Sequence, residues 1–320
     1  MDTVDTPQWR IVRYEPSMAA TWNDFVARSR NGTFLFDRGY MDYHADRFAD
    51  CSWMAFKGNR LLAVLPADIT ADATLRSHGG LTYGGWVTAM AHLDAAGLLG
   101  IFTAACDVWR AEGISRLDYK PVPYIYSRKP SQDDLYALFR LGAVQTECAV
   151  SSTIDLSAPV EFNQQMRRHL AQASRLSIET GETDDVGMFM TMLADCLRER
   201  HDTRPVHTAA ELRLLKDRFP DNIRLFVITL EGVPHAAVCV YDTGVTAHAQ
   251  YIATTAEGRR LNLLTPLFDY LIREVFARRR WFDFGISTED HGRTLNAGLL
   301  RQKTSYGAGA TVYTRWRLDL

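Results

Sequence analysis

At 320 residues the chain exceeds one ordinary domain, and two domains of about 150 residues each are expected. Its 36 Lys+Arg and 38 Asp+Glu nearly cancel, which excludes a global field able to hold DNA or an anionic membrane; any anion site has to be local. An apolar fraction of 47% supplies a core for each domain.

The N-terminus begins acidic and carries no apolar run, and the most apolar stretches, 61–66 and 225–230, are strand-sized. Neither a signal peptide nor a transmembrane helix is therefore expected, and the chain reads as cytoplasmic. Five cysteines lie at least 42 residues apart, which suits reduced, buried thiols rather than a disulfide frame. No cysteine pair has zinc-ligand spacing and the nine histidines include no HxxxH, so no metal is expected.

In chain order the pattern predicts a strand over 9–14, a helix over 17–28 and a hairpin of 51–56 with 61–69. A strand over 81–87 follows, then a helix over 92–112 closed by Gly113, a strand over 114–119, a short helix over 131–141 ended by Gly142, and a strand over 143–156. Helices are then predicted over 159–180, 186–200 and 208–218, the last opened by the capping box Thr208-x-x-Glu211. A hairpin of 223–230 with 235–241, a strand over 245–253, a helix over 262–277, a strand over 281–285, a helix over 293–304 and a strand over 310–320 complete the chain.

The two halves repeat one order at similar spacing. Asp118 ends the strand after the long helix in Arg-Leu-Asp-Tyr, and Asp283 holds that place in Trp-Phe-Asp-Phe-Gly. From Asp118 to Gly142 and from Asp283 to Gly307 are both 24 residues; Tyr83 to Asp118 is 35 and Tyr251 to Asp283 is 32. An internal duplication is the reading, with a boundary near Ser157-Ala158-Pro159 that gives halves 1–157 and 158–320. Each half combines a hairpin with a strand–helix–strand crossover, so the fold class is α/β, specifically an α+β mixed sheet with helices on its faces.

Four motifs carry a family resemblance: Arg167-Arg168-His169-Leu170-x-x-Ala173; Arg198-x-Arg200-His201-Asp202 followed by Arg204-Pro205-Val206-His207; Phe282-Asp283-Phe284-Gly285; and Gln302-Lys303-x-x-Tyr306-Gly307. Their order is similar to that of the GNAT N-acyltransferases, and the tandem pair resembles the FemAB-like type, the Fem family that adds amino acids to peptidoglycan precursors. The resemblance implies two tandem GNAT-like domains and transfer of an acyl or aminoacyl group to an amine. The acceptor would be a sugar or cell-envelope precursor, either a small molecule or a lipid-linked sugar. The donor co-substrate it implies is acyl-CoA or aminoacyl-tRNA, and the residues leave that choice open. In place of the family's Gly-rich phosphate turn stands Glu257-Gly258-Arg259-Arg260-Leu261-Asn262, where Arg259, Arg260 and Asn262 are the candidates for donor phosphates. Two rivals stay open: a CoA-dependent N-acetyltransferase of a small amine, and a non-catalytic module that binds a nucleotide-sugar or glycan.

The resemblance makes Lys303 the candidate for offsetting charge on the oxyanion, although a lysine in a last helical turn also suits the helix dipole. Asp283 is the candidate base or amine-orienting group, and a strand-end aspartate is also a common cap. Arg167, Arg168, Arg200, His201 and Arg204 are candidates for binding substrate phosphates, against the plain alternative of a wet helix face. Glu289, in the loop after the Asp283 strand, and Tyr306 complete the second-half candidates. His78 and Tyr83, in a glycine-dense stretch, are candidates for the acceptor.

Overall fold

The computed structural model describes residues 9–201 and 205–320, except the side chains of Arg200 and His201. Its first half runs β1 (Trp9–Arg13), α1 (Ala19–Arg28), α2 (Arg38–Met41), β2 (Trp53–Lys57), β3 (Arg60–Leu65), β4 (Asp68–Ile69), β5 (Thr74–Arg76), β6 (Val87–Thr88), α3 (Ala95–Ala111), β7 (Arg116–Tyr119), α4 (Asp133–Arg140) and β8 (Val144–Asp155). The second half runs α5 (Gln164–Ala173), β9 (Ile178–Thr183), α6 (Val186–His201), α7 (Ala209–Arg218), β10 (Ile223–Leu230), β11 (Val233–Asp242) and β12 (Thr246–Thr254). It ends with α8 (Ala256–Arg260), α9 (Leu264–Tyr270), β13 (Trp281–Ile286), β14 (Thr288–Glu289), β15 (Thr294–Leu295), α10 (Ala297–Thr304) and β16 (Gly309–Asp319).

Two compact units emerge, the first comprising residues up to Ala149 with His291–Arg293 and Val312–Leu320, the second Val150–Asp290 with Thr294–Thr311. The sequence reading divides the chain at 157/158; in the structure the division falls inside β8, and most of β16 belongs to the first unit.

In unit 1, β1, β2, β3 and β6 pair antiparallel in that order. A second run, β4-β5-β7-β16, holds one parallel pair, β5 with β7. Helix α3 starts where the Asp94 side chain accepts from Gly97 N, and it buries Leu98, Ile101, Phe102, Ala105 and Trp109 at helical spacing. Those side chains pack with Trp53, Trp86 and Tyr119 into the unit's core. The strand expected over 81–87 is a loop with only Val87–Thr88 extended, and the strand that pairs parallel with β7 is β5. Glycine causes this: Gly85 sits at φ +79, and a Cβ there would come 2.5 Å from the Tyr119 hydroxyl.

In unit 2 the order is β8-β13-β12-β11-β10-β9, antiparallel throughout except the parallel pair β12–β13. One face packs Phe226, Phe268, Phe276, Phe282, Phe284 and Tyr306 into a single aromatic core. Three expected helices are shorter than read. Residues 178–180, placed by the sequence at the end of a helix over 159–180, belong instead to strand β9, which pairs with β10. The helix over 262–277 begins at Leu264, since Asn262 turns at φ +56 between α8 and α9. The helix over 293–304 begins only after Asn296, whose side chain accepts from Leu299 N. Among the described residues no helix is long and apolar enough to cross a membrane.

Candidate active site

The chemistry-bearing side chains of unit 2 gather where β12 and β13 separate. Their parallel ladder has three rungs, Thr246↔Trp281, Ala247↔Phe282 and His248↔Asp283. Beyond the last rung β12 continues to Thr254 and β13 to Ile286 without pairing to each other. Alternation along β12 sends Ala247 and Ala249 into the aromatic core and His248 to the opposite face.

Asp283 is fully buried and accepts three hydrogen bonds. Ser151 Oγ (2.5 Å) and Thr153 Oγ1 (2.9 Å) donate to Oδ1, and His248 Nδ1 lies 2.8 Å from Oδ2. Two hydroxyls donating to one oxygen fit a carboxylate, which accepts only; against it Nδ1 of His248 is assigned as the donor, which leaves Nε2 as the ring's acceptor nitrogen. The His248 side chain is 12% exposed, against 0% for Asp283. Within the pair, the imidazole is the group with a solvent-facing part.

Next to this pair the β13–β8 ladder is bulged. Asp283 pairs with Thr153 and Ile286 with Ser151, so Phe284 and Gly285 face the single residue Ser152. Gly285 adopts φ +77, a conformation that favours glycine, and a Cβ there would also press on the His248 ring at 3.3 Å. Lys303, projecting from α10, donates to the bulge carbonyls of Gly285 (2.8 Å) and Ile286 (2.7 Å). It is 6% exposed. Burial pushes its ammonium down to about 8, with the Asp283 carboxylate acting the other way. Asp283 and Lys303, chosen from the sequence, thus belong to one cluster with His248 between strand and bulge.

The same unit holds a cleft of about 380 Å³, lined among others by Met166, His169, Arg259, Asn262, Arg301 and Tyr306; Lys303 reaches it only through its chain neighbour Gln302, and neither His248 nor Asp283 lines it. The Tyr306 ring stacks on Phe284 (centroids 5.3 Å apart), its hydroxyl lies 3.5 Å from Thr265 Oγ1, and burial pushes its pKa up to about 12. Arg259 is tied to Thr254 O (2.9 Å) and Glu199 (2.8 Å). Arg260 points elsewhere, into an exposed pair with Glu257. Two amides of the turn already have partners: Gly258 N donates to Thr255 Oγ1 and Arg259 N to Thr255 O, both at 3.0 Å.

The remaining candidates scatter. Arg167 and Arg168 are exposed, and the same helix turns Gln165, Met166 and His169 to the cleft instead. Arg204 lies outside the described residues, as do the side chains of Arg200 and His201. Glu289 is exposed and accepts from Asn296 Nδ2 (3.0 Å). His78 and Tyr83 are buried in unit 1. There Tyr83 donates to Thr33 Oγ1 (3.3 Å), and burial, with His44 adding to it, pushes His78 down to about 2.

His248, Ser151 and Thr153 went unread in the sequence. The signal lay in Ala247-His248-Ala249: small residues flanking a histidine on a strand whose Ala side faces the core. His207 was quoted only within a motif; its Nδ1 lies 2.5 Å from the hydroxyl of Tyr251, three residues along β12 from His248. Among the described residues no group of three or more His, Cys, Asp or Glu is placed to hold a metal ion.

Residues 161–293 match the family model of the acetyltransferase (GNAT) domain. No curated protein matches the sequence. Among solved structures, FemX is similar over 97% of both chains at 12% identity, with a TM-score of 0.69. L-PGS from Bacillus licheniformis is similar over 95% of this chain and 92% of its own, at 10% identity and a TM-score of 0.60. A tandem GNAT protein from the clavulanic acid biosynthesis pathway, in its form without AcCoA, is similar over 98% of both chains at 13% identity and a TM-score of 0.54. At such identities the likeness is one of fold, and the fold is that of tandem GNAT proteins.

Proposed function

We propose that this chain, whose residues 161–293 match the acetyltransferase (GNAT) domain, is an acyltransferase that joins an acyl or aminoacyl group to an amine of a sugar or cell-envelope precursor, with His248 as the general base. The observation that carries the reading is the His248–Asp283 pair on the last rung before β12 and β13 separate. Asp283, buried beneath three donors, acts as a positioning residue: it fixes the tautomer of His248 and supports the charge that forms on it.

In the proposed step the amine nitrogen attacks the donor's carbonyl carbon. A C–N bond forms, the bond from carbonyl carbon to the leaving sulfur or oxygen breaks, and the amine proton passes through His248 Nε2 to the leaving group. Lys303 holds the bulge by two carbonyls and places a positive charge where the oxyanion develops. The donor occupies the cleft between α5, α8 and α10, where Arg301 and Tyr306 stand with Arg259 and Asn262. The partnered amides of the 255–259 turn favour a donor recognised along the cleft rather than by a pyrophosphate at that turn. Acyl-CoA and aminoacyl-tRNA are the two donor classes to compare.

The test is transfer by the full chain, with panels of each donor class and amino-sugar acceptors. His248→Ala should lower kcat about 10²–10⁴-fold with little change in KM and an unchanged thermal unfolding curve. Turnover within threefold of the parent (~0.6 kcal/mol in the barrier) would remove His248 from the chemistry. Ligand binding without transfer from any donor would instead favour a non-catalytic module.

A further inference from the structure

A groove of about 460 Å³ in unit 1 collects four guanidinium groups, Arg116, Arg293, Arg315 and Arg317. Strand alternation builds it. Leu117 and Leu318 face the core, so Arg116 and Asp118 on β7, and Arg315 and Arg317 on β16, stand together on the other face. Like charges clustered on one sheet face repel; Asp72, Asp118 and Glu147 line the same groove, so what matters is how far these acids satisfy the four guanidinium groups.

The protein's own acids answer poorly. Each guanidinium offers five N–H donors in a planar fork. The one side-chain hydrogen bond that these four make among the described residues is Arg116 Nε to Asp319 (3.1 Å). Arg315 Nε stands 3.6 Å from Asp118 and 3.5 Å from Glu147, beyond good hydrogen-bond length, and is a buried nitrogen without a hydrogen-bond partner. Arg317 reaches Asp319 at 3.6 Å, and Arg293 forms no ion pair among the described residues. Asp118 is a weakened counter-charge, because burial raises its pKa against the pull of Arg315. His291 Nδ1 also stands in the groove, 3.5 Å from Glu147.

We propose that this groove binds a diphosphate-type polyanion, whose oxygens take the unmet N–H forks of Arg293, Arg315 and Arg317. A diphosphate offers several acceptor oxygens to several forks at once, which a single carboxylate does not. The shared chemistry is the diphosphate, whether inorganic or carried by a nucleoside. The proposal does not depend on the transfer reading, because binding is measured with neither donor nor acceptor present.

Calorimetric titration of the full chain with inorganic pyrophosphate and, separately, with ADP tests it. Saturable binding of either is expected, weakening as salt rises. Equal affinities would assign recognition to the diphosphate alone, and tighter ADP binding would add the nucleoside; both outcomes support the site. Arg317→Gln and Arg293→Gln should each weaken binding about tenfold or more, as loss of a charge-assisted contact does. Glu147→Gln, which removes a competing acid, should tighten it several-fold. Arg293 is exposed and without an ion pair among the described residues, so its variant is expected to fold. Absence of saturable binding at millimolar ligand, or unchanged affinity in both arginine variants, overturns the proposal.

Discussion

The two halves of the chain build the same three-rung parallel ladder and use its end differently. In the first half Thr74, Leu75 and Arg76 pair with Arg116, Leu117 and Asp118; in the second Thr246, Ala247 and His248 pair with Trp281, Phe282 and Asp283. The structural partner of His248 is therefore Arg76, not a residue near Tyr83, and the Tyr83–Tyr251 equivalence suggested by spacing does not hold. Arg76 leans away to the buried carboxylate of Asp68 (Nε–Oδ2 2.9 Å), while His248 bonds Asp283 itself. Beyond the ladder, β7 pairs with β16 in unbroken register through Tyr119, whereas β13 bulges at Gly285. Twenty residues past the aspartate stands Lys303 under that bulge in one half and Leu138, fully buried in the core, in the other. One scaffold supports a histidine with a positioned proton in the second half and an arginine-lined groove in the first.

The comparison breaks first on turnover. Arg76→Ala removes the ladder equivalent of His248, yet transfer should stay within about threefold, against a loss of about 10²–10⁴-fold for His248→Ala. Comparable losses in the two variants would mean that the halves share the chemistry. Stability comes next. Leu138→Lys sets the second half's lysine where no bulge carbonyls are freed, and a buried unpaired ammonium should cost about 3–5 kcal/mol in urea unfolding. Lys303→Leu, which only strands two carbonyls, should cost about 1–3 kcal/mol. If the first half accepts the lysine for less than about 1 kcal/mol, the two positions are not chemically distinct.

A third effect is pH-dependent. Burial lowers Lys303 from 10.5 to about 8. Between those values the unfolded chain binds more protons at this site than the folded one, so its contribution to stability rises with pH across that window, by about 3 kcal/mol at most. Lys303→Met should flatten that part of the profile relative to the parent. A parallel profile in the variant would show that the lysine titrates normally.

What the sequence made legible was local or counted. Asp118, Asp283, Gly142 and Gly307 hold equivalent places, and both glycines sit at positive φ after the short helix of their half. Asp283 and Lys303 were singled out because two short motifs, Phe282-Asp283-Phe284-Gly285 and Gln302-Lys303-x-x-Tyr306-Gly307, carry them twenty residues apart. The rest depends on pairing, which spacing does not encode. The hydroxyls on Asp283 come from Ser151 and Thr153, 130 and more residues earlier in the chain. The first residues of strand β9, 178–180, read as the end of a helix until β10 is there to pair with them. The exposed pair Arg167–Arg168 outweighed His169 in the sequence because charge is conspicuous in a motif, while the facing of a helix is settled by packing.

The smallest effects test how tightly the second-half carboxylate is held. Ser151→Ala and Thr153→Ala each remove one donor from Oδ1 of Asp283, and each should cost about 1 kcal/mol in stability. Both hydroxyls serve the same oxygen, so either variant alone leaves it with a partner. The double variant leaves a fully buried carboxylate oxygen with neither hydroxyl, and its cost should exceed the sum of the singles by about 0.5–2 kcal/mol. Its turnover should fall more than in either single variant, because a carboxylate less firmly held also orients the His248 ring less firmly. Additive stabilities in the four-member cycle would mean that water replaces the hydroxyls. Asp283 would then sit in a wetter site than its burial implies, closer in character to Asp118 of the first half, whose side chain is 27% exposed.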